Sequence, residues 1–374
     1  LSRGLGDVYK RQQQNTATKG RLSKSGVLCV LSILLVVCVF WSLNCGAVET
    51  TLSDVFTAFS FDEPSAKSQL KSIVISEIRL PRIVLAFIVG AALTLAGSLL
   101  QGLFRNPLAD PALIGVSSGG AMGAVTAIVL LPTIAIKLKL TEGTAQIIQA
   151  FGLPVLAMCG AIALTFIIYR VSLVRGRTHV PAMLLTGIAV NAVGGAFVGL
   201  VVTVFATDEQ LRTITFWTLG SLSGSNWDNT IILAAFIIIP AIIALRQDRA
   251  LNAFLLGEAE AFHLGVDTQR VKRTVILVSA IMVGATVAFC GIIGFVGLVV
   301  PHMVRTVFGP DHKLLLPAGI LLGAITLIVA DVFARTLLSP AELQIGILTA
   351  IIGGPFFLAL LIRSRSVNTN SLSL

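Results

Sequence analysis

Charge is scarce in this chain. Only 12 % of its 374 residues are Asp, Glu, Lys or Arg, about half the share of an ordinary soluble domain. That excludes intrinsic disorder and a charged coiled coil. The five cysteines (Cys29, Cys38, Cys45, Cys159, Cys290) make no C-x-x-C pair and fall in or beside apolar runs. A disulfide scaffold is therefore excluded, and the cysteines read as small packing residues. The four histidines (His179, His263, His302, His312) are scattered and no H-E-x-x-H occurs, so no metal site is predicted. There is no Gly-Lys pair, hence no phosphate loop and no ATP hydrolysis by that route. Ionisable residues are also nearly absent from the middle of the apolar blocks, where a gradient-driven carrier keeps them. No paired catalytic residues stand inside those blocks.

What is abundant is apolar surface. Hydrophobic residues make up 55 % and the mean hydropathy is +0.93, more than a water-soluble globule can bury. The apolar blocks run about 20 residues, the length of a bilayer-crossing helix rather than of the short alternating strands of a barrel. Ten are read: 26–46, 83–104, 112–132, 147–169, 181–206, 229–245, 274–292, 294–308, 314–335 and 344–362. The eighth is short and interrupted by Pro301. Residues 66–79 read as an amphipathic helix and 210–225 as a short helix that does not span. The run 27–43 is long for a signal-peptide core and no Ala-x-Ala follows, so it reads as a retained first span. The expected fold is an all-α membrane protein of about ten spans. It is one domain over 26–363, flanked by polar tails at 1–25 and 364–374.

The net charge is +9. The cations lie between the apolar blocks, which points to the positive-inside rule rather than to nucleic acid. Ten spans put both termini on one side. Placing them in the cytosol puts 19 of the 27 Lys and Arg there and 8 outside. Glycines recur at helix-packing spacing (Gly115, Gly119, Gly123; Gly195, Gly199; Gly319, Gly323), as close helix contact in lipid requires. Gly115-Val116-Ser117-Ser118-Gly119 fits G-x-S-x-G, but it opens a helix with no strand before it, so no hydrolase is read from it.

Two polar regions carry candidate sites. On the outer side, Arg79 and Arg82 precede the second span and Arg335 ends the ninth. They snorkel to the interface or form an arginine patch for an acidic partner. Asp331 stands four residues before Arg335, the spacing of a local ion pair. On the cytosolic side, Ala250 to His263 has helical periodicity, with Leu251, Phe254, Leu255 and Phe262 on one face. Gly265 then breaks it, and Asp267 caps a second short helix. Such a piece either lies on the membrane or docks a cytosolic motor.

Several strings resemble one family. They are RLPRIVLAFIVGAALTLAGSLLQGLFRNPLADPALIGVSSGGAMGAV, LLTGIAVNA, LGEAEAFHLGVDTQRVKR, GIIGFVGLVVPHMVR, GPDHKLLLP, ADVFAR and PAELQIGILTAIIGGPFFLALL, over about 70–363. They are similar to the FecCD-type permeases of ABC importers for iron–siderophores, haem and cobalamin. LRTITFWTLGSLSGSNW (211–227) and LNAFLLGEAEAFHLGV (251–266) most resemble the haem-importing branch. Gln344 stands where the family usually has Pro.

The resemblance implies a type II importer permease of the bacterial inner membrane, with no enzymatic activity and no cofactor of its own. It implies a homodimer with two separate ATPase subunits, which hold ATP and Mg²⁺, and a periplasmic binding protein. By the same resemblance Arg79, Arg82 and Arg335 dock that binding protein. Leu255, Gly257, Glu258, Ala261, Leu264, Gly265, Val266 and Asp267, within 251–270, couple to the ATPase. Asn106 and Leu108, with Thr178 and His179, belong to a cytosolic gate. Ser, Thr and Asn near 186–203 and the stretch 205–217 are candidates for lining the path. The expected cargo is haem or a related iron chelate. Ferric siderophore and cobalamin are the alternatives within the family, and an ion-coupled carrier is the alternative outside it.

Overall fold

A computed structural model describes residues 23–46, 48–51, 53–55, 66–137 and 141–370. The amino-terminal tail up to residue 22 and residues 371–374 lie outside them. The helices are α1 (Lys24–Asn44), α2 (Ala66–Ile73), α3 (Leu80–Phe104), α4 (Val116–Lys137), α5 (Glu142–Val171), α6 (Val180–Phe205) and α7 (Asp208–Thr218). They continue as α8 (Trp227–Leu245), α9 (Asp248–Leu256), α10 (Glu258–His263), α11 (Thr268–Cys290), α12 (Val296–Phe308), α13 (His312–Thr336) and α14 (Ile345–Asn370). A two-stranded hairpin, β1 (Leu173–Val174) and β2 (Arg177–Thr178), joins α5 to α6.

Among the described residues eight helices are long and apolar enough to cross a membrane, and two shorter apolar helices, Val296–Phe308 and Ile345–Ala359, accompany them. These coincide with the ten predicted blocks. Three boundaries differ. The segment 66–79 is not a separate helix: α2 passes through a π-helical stretch, Val74–Arg79, straight into α3. The last helix runs on to Asn370, past residue 363. Asp267 caps the long span α11, not a short helix.

The bundle is built around α3, whose apolar window is 83 % buried, against 11 % for α6. A helix can be enclosed on all sides only if its neighbours come close, and small residues allow that. A Cβ on Gly97 would stand 1.7 Å from Gly297 O, and one on Gly90 would stand 2.3 Å from Gly323 O. Helices α4 and α5 meet in the same way: a Cβ on Gly119 would reach Gly160 O at 2.3 Å, and one on Gly123 would reach Leu156 O at 2.0 Å. The stripes at 115–123 and 319–323 therefore pack as read. Gly195 and Gly199 do not: nothing among the described residues stands within 4 Å of either Cβ position. Among the described residues, the face of α6 that carries them has no partner.

Short α7 appears where a non-spanning helix was expected. Thr207 and Gln210 form its capping box, and Gln210 Nε2 also donates to Ile128 O of α4 at 3.1 Å.

Candidate functional site: two polar ends of one bundle

The candidate residues gather at opposite ends of the bundle. One end carries the arginines. Arg79 Nη1 donates to Thr50 Oγ1 at 2.5 Å and to Leu43 O, and its Nη2 donates to Val48 O. Arg335 donates to Cys45 O at 2.6 Å and to Ser42 O and Oγ at 2.7 Å. Both side chains thus close the carboxy-terminal end of α1, where the last helical carbonyls have no partner within the helix.

Arg82 Nε donates to Asp331 Oδ1 at 2.9 Å, and its two Nη atoms hold Glu342 in a fork at 3.1 Å each. Asp331 also pairs with Arg335 at 3.3 Å, the expected i,i+4 contact. Arg82 and Arg335 thus share two carboxylates, while Arg79 is held by oxygens of α1 and the loop after it. All three arginines line one cavity of about 210 Å³, with Gly46, Glu342 and Pro340 at its wall. The structure brings Arg79, Arg82 and Arg335 together as read, but each already has partners within the chain. Arg79 and Arg82 are both buried. The sequence signal did not foresee this use by α1 and Glu342.

The other end carries the connection between α8 and α11. The periodicity predicted one helix from 250 to 263 with Phe262 on the same face as Leu251 and Phe254. Gly257 instead adopts φ 126° and ψ 155°, a conformation closed to side-chain-bearing residues, and splits the segment into α9 and α10. Leu251 and Phe254 stay buried, while Phe262 turns outward and is 67 % exposed. Leu256 and Leu264 are exposed beside it. Of the predicted coupling residues, Glu258, Leu264, Gly265 and Asp267 are exposed, Leu255, Gly257 and Val266 are half-buried, and Ala261 packs inward.

The turn at Thr178 and His179 joins this platform. Thr178 N donates to Gln269 Oε1 at 2.9 Å, and Lys272 Nζ donates to Thr178 O at 3.0 Å. Lys272 also pairs with Glu258 at 2.5 Å. His179 caps α6, its Nδ1 accepting from Ala182 N at 3.3 Å. Arg177, Thr178, His179, Glu258, Phe262 and Lys272 share one open cleft of about 970 Å³.

Asn106 instead shapes its own loop after α3, its Oδ1 accepting from Leu108 N at 2.9 Å. No hydrogen bond among the described residues joins that loop to Thr178 or His179. The two turns read as layers of the gate are thus not joined by a hydrogen bond here.

A third cluster at this end escaped the sequence reading. Asp311 caps α13 and pairs with Lys24 at the start of α1. Asn252 of α9 bonds both Asp311 and His312. The bonds from Lys24 and Asn252 hold the Asp311 carboxyl down at about 2. Lys24 therefore lies at the α9–α10 end and Ser42 at the arginine end, as the predicted topology requires of α1.

The arrangement contains an exposed apolar platform at one end, a paired arginine cluster at the other and a glycine-knit bundle between. The FecCD transport family matches residues 34–363. The hemin transport system permease protein HmuU of Yersinia pestis is 40 % identical over 346 residues, covering 92 % of this chain and 98 % of that protein. The cobalamin import system permease protein BtuC of Halobacterium salinarum is 41 % identical over 295 residues, 79 % of this chain and 74 % of that protein. A solved inward-facing structure of a metal-chelate type ABC transporter superposes with a TM-score of 0.76 at 33 % identity, covering 90 % of this chain and 99 % of that one. The chain belongs to the FecCD transport family and is a multi-span membrane permease.

Proposed function

We propose that this FecCD-family permease imports haem, or a related iron chelate, as the membrane subunit of an ABC importer. The likeness to the hemin permease over 98 % of that protein's length carries the cargo assignment. Cobalamin is the second reading, favoured by the likeness to a cobalamin permease.

A separate ATPase supplies the energy. Leu256, Phe262 and Leu264 support this: three large apolar side chains are exposed at the end of the bundle where the chain leaves the bilayer. Such a patch fits a partner groove. The same end is cytosolic, with both termini on that side. The complex is a homodimer, for which the unpartnered Gly195–Gly199 face of α6 offers a close-packing surface. A periplasmic binding protein delivers cargo at the arginine end. Nucleotide binding favours one of two bundle arrangements, and that difference in affinity does the work. No chemistry occurs on the cargo.

The test is uptake into proteoliposomes holding the chain, its ATPase and its binding protein. Haem should accumulate only with ATP, and cobalamin or a ferric siderophore should compete weakly. Phe262→Asp with Leu264→Asp should abolish ATPase capture while the permease stays folded. Uphill transport by the lone chain under an ion gradient would sink the proposal.

A further inference from the structure

Helices α5 and α11 pack side by side, and a groove of about 320 Å³ runs along their outer seam. Its walls are Ile162 and Phe166 from α5 and Leu277 and Ile281 from α11; Tyr169 and Arg273 close one end. From Arg273 to Ile281 the groove follows α11 for about 12 Å, most of the depth of one leaflet. Thr165 also lines it, but its hydroxyl is spent on Ala161 O at 2.9 Å. The wall is otherwise apolar.

The end is different in kind. Arg273 has no ion pair and no hydrogen bond among the described residues, and neither does the Tyr169 hydroxyl. Arg170, one residue on, lies over the Phe166 ring at 5.9 Å and likewise has no carboxylate. Two uncompensated cations and a phenol thus sit over an apolar slot. The neighbouring Lys272, by contrast, is fully engaged with Glu258 and Thr178.

That same contact fixes which end this is. Lys272 reaches α10, so the arginines lie at the level of the exposed platform. On the proposed orientation, on which this inference rests for the leaflet alone, that is the inner face. There anionic headgroups are concentrated, and basic pockets between helices recognise them.

We propose that the α5–α11 groove is a binding site for an anionic phospholipid. One acyl chain lies along Phe166, Leu277 and Ile281. The phosphate sits on Arg273, with Arg170 beside it, and accepts from the Tyr169 hydroxyl. Charge complementarity selects the headgroup, and the slot selects a molecule with a tail over free phosphate.

Native mass spectrometry of the full chain in detergent tests this without reference to orientation, so its failure is separate from that of the transport reading. The probes are phosphatidylglycerol and phosphatidylcholine with identical chains. The intact protein should retain phosphatidylglycerol about tenfold more tightly. Arg273→Ala should remove that preference, while Arg246→Ala, at an exposed arginine away from the groove, should keep it. Leu277→Trp, which fills the slot, should weaken both lipids. Equal retention of the two lipids by the intact protein would overturn the site. So would an unchanged preference in Arg273→Ala, full competition by millimolar inorganic phosphate, or a loss of dimer in Leu277→Trp with lipid retention intact. Should Leu277→Trp fail to fold, the Arg273→Ala comparison decides alone.

Discussion

Asn252 holds Asp311 and its neighbour His312 with a single amide. Its Nδ2 donates to Asp311 Oδ1 at 2.8 Å, and its Oδ1 accepts from His312 N at 2.9 Å and from the ring Nδ1 at 2.9 Å. His312 is wholly buried. The first turn of α13 is thereby tied to α9, which leads into the exposed platform. The far end of α13 carries Asp331 and Arg335. One rigid helix thus connects the two polar ends of the bundle.

Asn252→Ala breaks that tie at α9. It strands the buried His312 groups, a cost of about 1–3 kcal/mol for each unmet bond. The expected outcome is cargo moved per ATP hydrolysed falling about tenfold, with ATPase capture retained, because the exposed Leu256, Phe262 and Leu264 are untouched. Parallel assays of uptake and phosphate release in proteoliposomes check it. Equal falls in both rates would assign Asn252 to folding alone.

The pair of Asp311 with Lys24 predicts a pH response. The folded pKa of Asp311, about 2, lies below the unfolded value of about 3.9. Its stabilisation is complete above the unfolded value and is lost as pH falls through about 2. Asp311→Asn keeps a good helix cap but loses the charge. Its melting temperature should lie below that of the parent at pH 7, by about 2–4 °C for each kcal/mol lost. The two curves should converge only below about pH 2. A gap that persists there would mean the ion pair is not its source.

The spans were legible because a bilayer imposes one length and one composition, and the sequence shows both. The break at Gly257 was not. Apolar spacing from Leu251 to Phe262 fits a single helix, and only the φ of 126° separates the two. The partners of Arg79 and Arg335 were hidden for another reason. Most are backbone carbonyls at the end of α1 and in the loop after it, Leu43, Val48, Ser42 and Cys45, and a carbonyl leaves no mark in residue identity. Asn252 and Asp311 are 59 positions apart, and no local pattern joins them.

Two glycines inside apolar spans should behave oppositely. Gly97→Ala places a methyl against Gly297 O, a backbone atom that cannot move aside. The cost should exceed about 3 kcal/mol, seen as loss of a monodisperse peak in fluorescence size exclusion. Gly195→Leu, at an exposed position with no described residue within 4 Å of its Cβ, should keep the parent melting temperature. On the homodimer reading it should nevertheless lose the cross-linked dimer. A retained dimer would place the subunit interface elsewhere.

Arg82 divides its guanidinium between a buried carboxylate and an accessible one. Asp331 is 2 % exposed and Glu342 is 41 % exposed. Removing the buried partner should be severe: Asp331→Asn leaves Arg82 and Arg335 facing each other, at a cost of about 3–5 kcal/mol. Removing the accessible partner is different. Glu342→Gln frees the outer fork of Arg82 without uncovering a buried charge, so the fold should hold. If the arginine end docks an acidic binding protein, Glu342 competes for that fork. The freed fork should then bind the protein more tightly, by about fivefold for a partly exposed pair worth about 1 kcal/mol. Arg82→Glu should weaken the same interaction at least as much. Surface plasmon resonance of the binding protein over the reconstituted permease reads both. Unchanged affinity in Glu342→Gln, with the fold intact, would leave Arg82 as a structural residue tying α13 to α3 and would remove it from the docking surface.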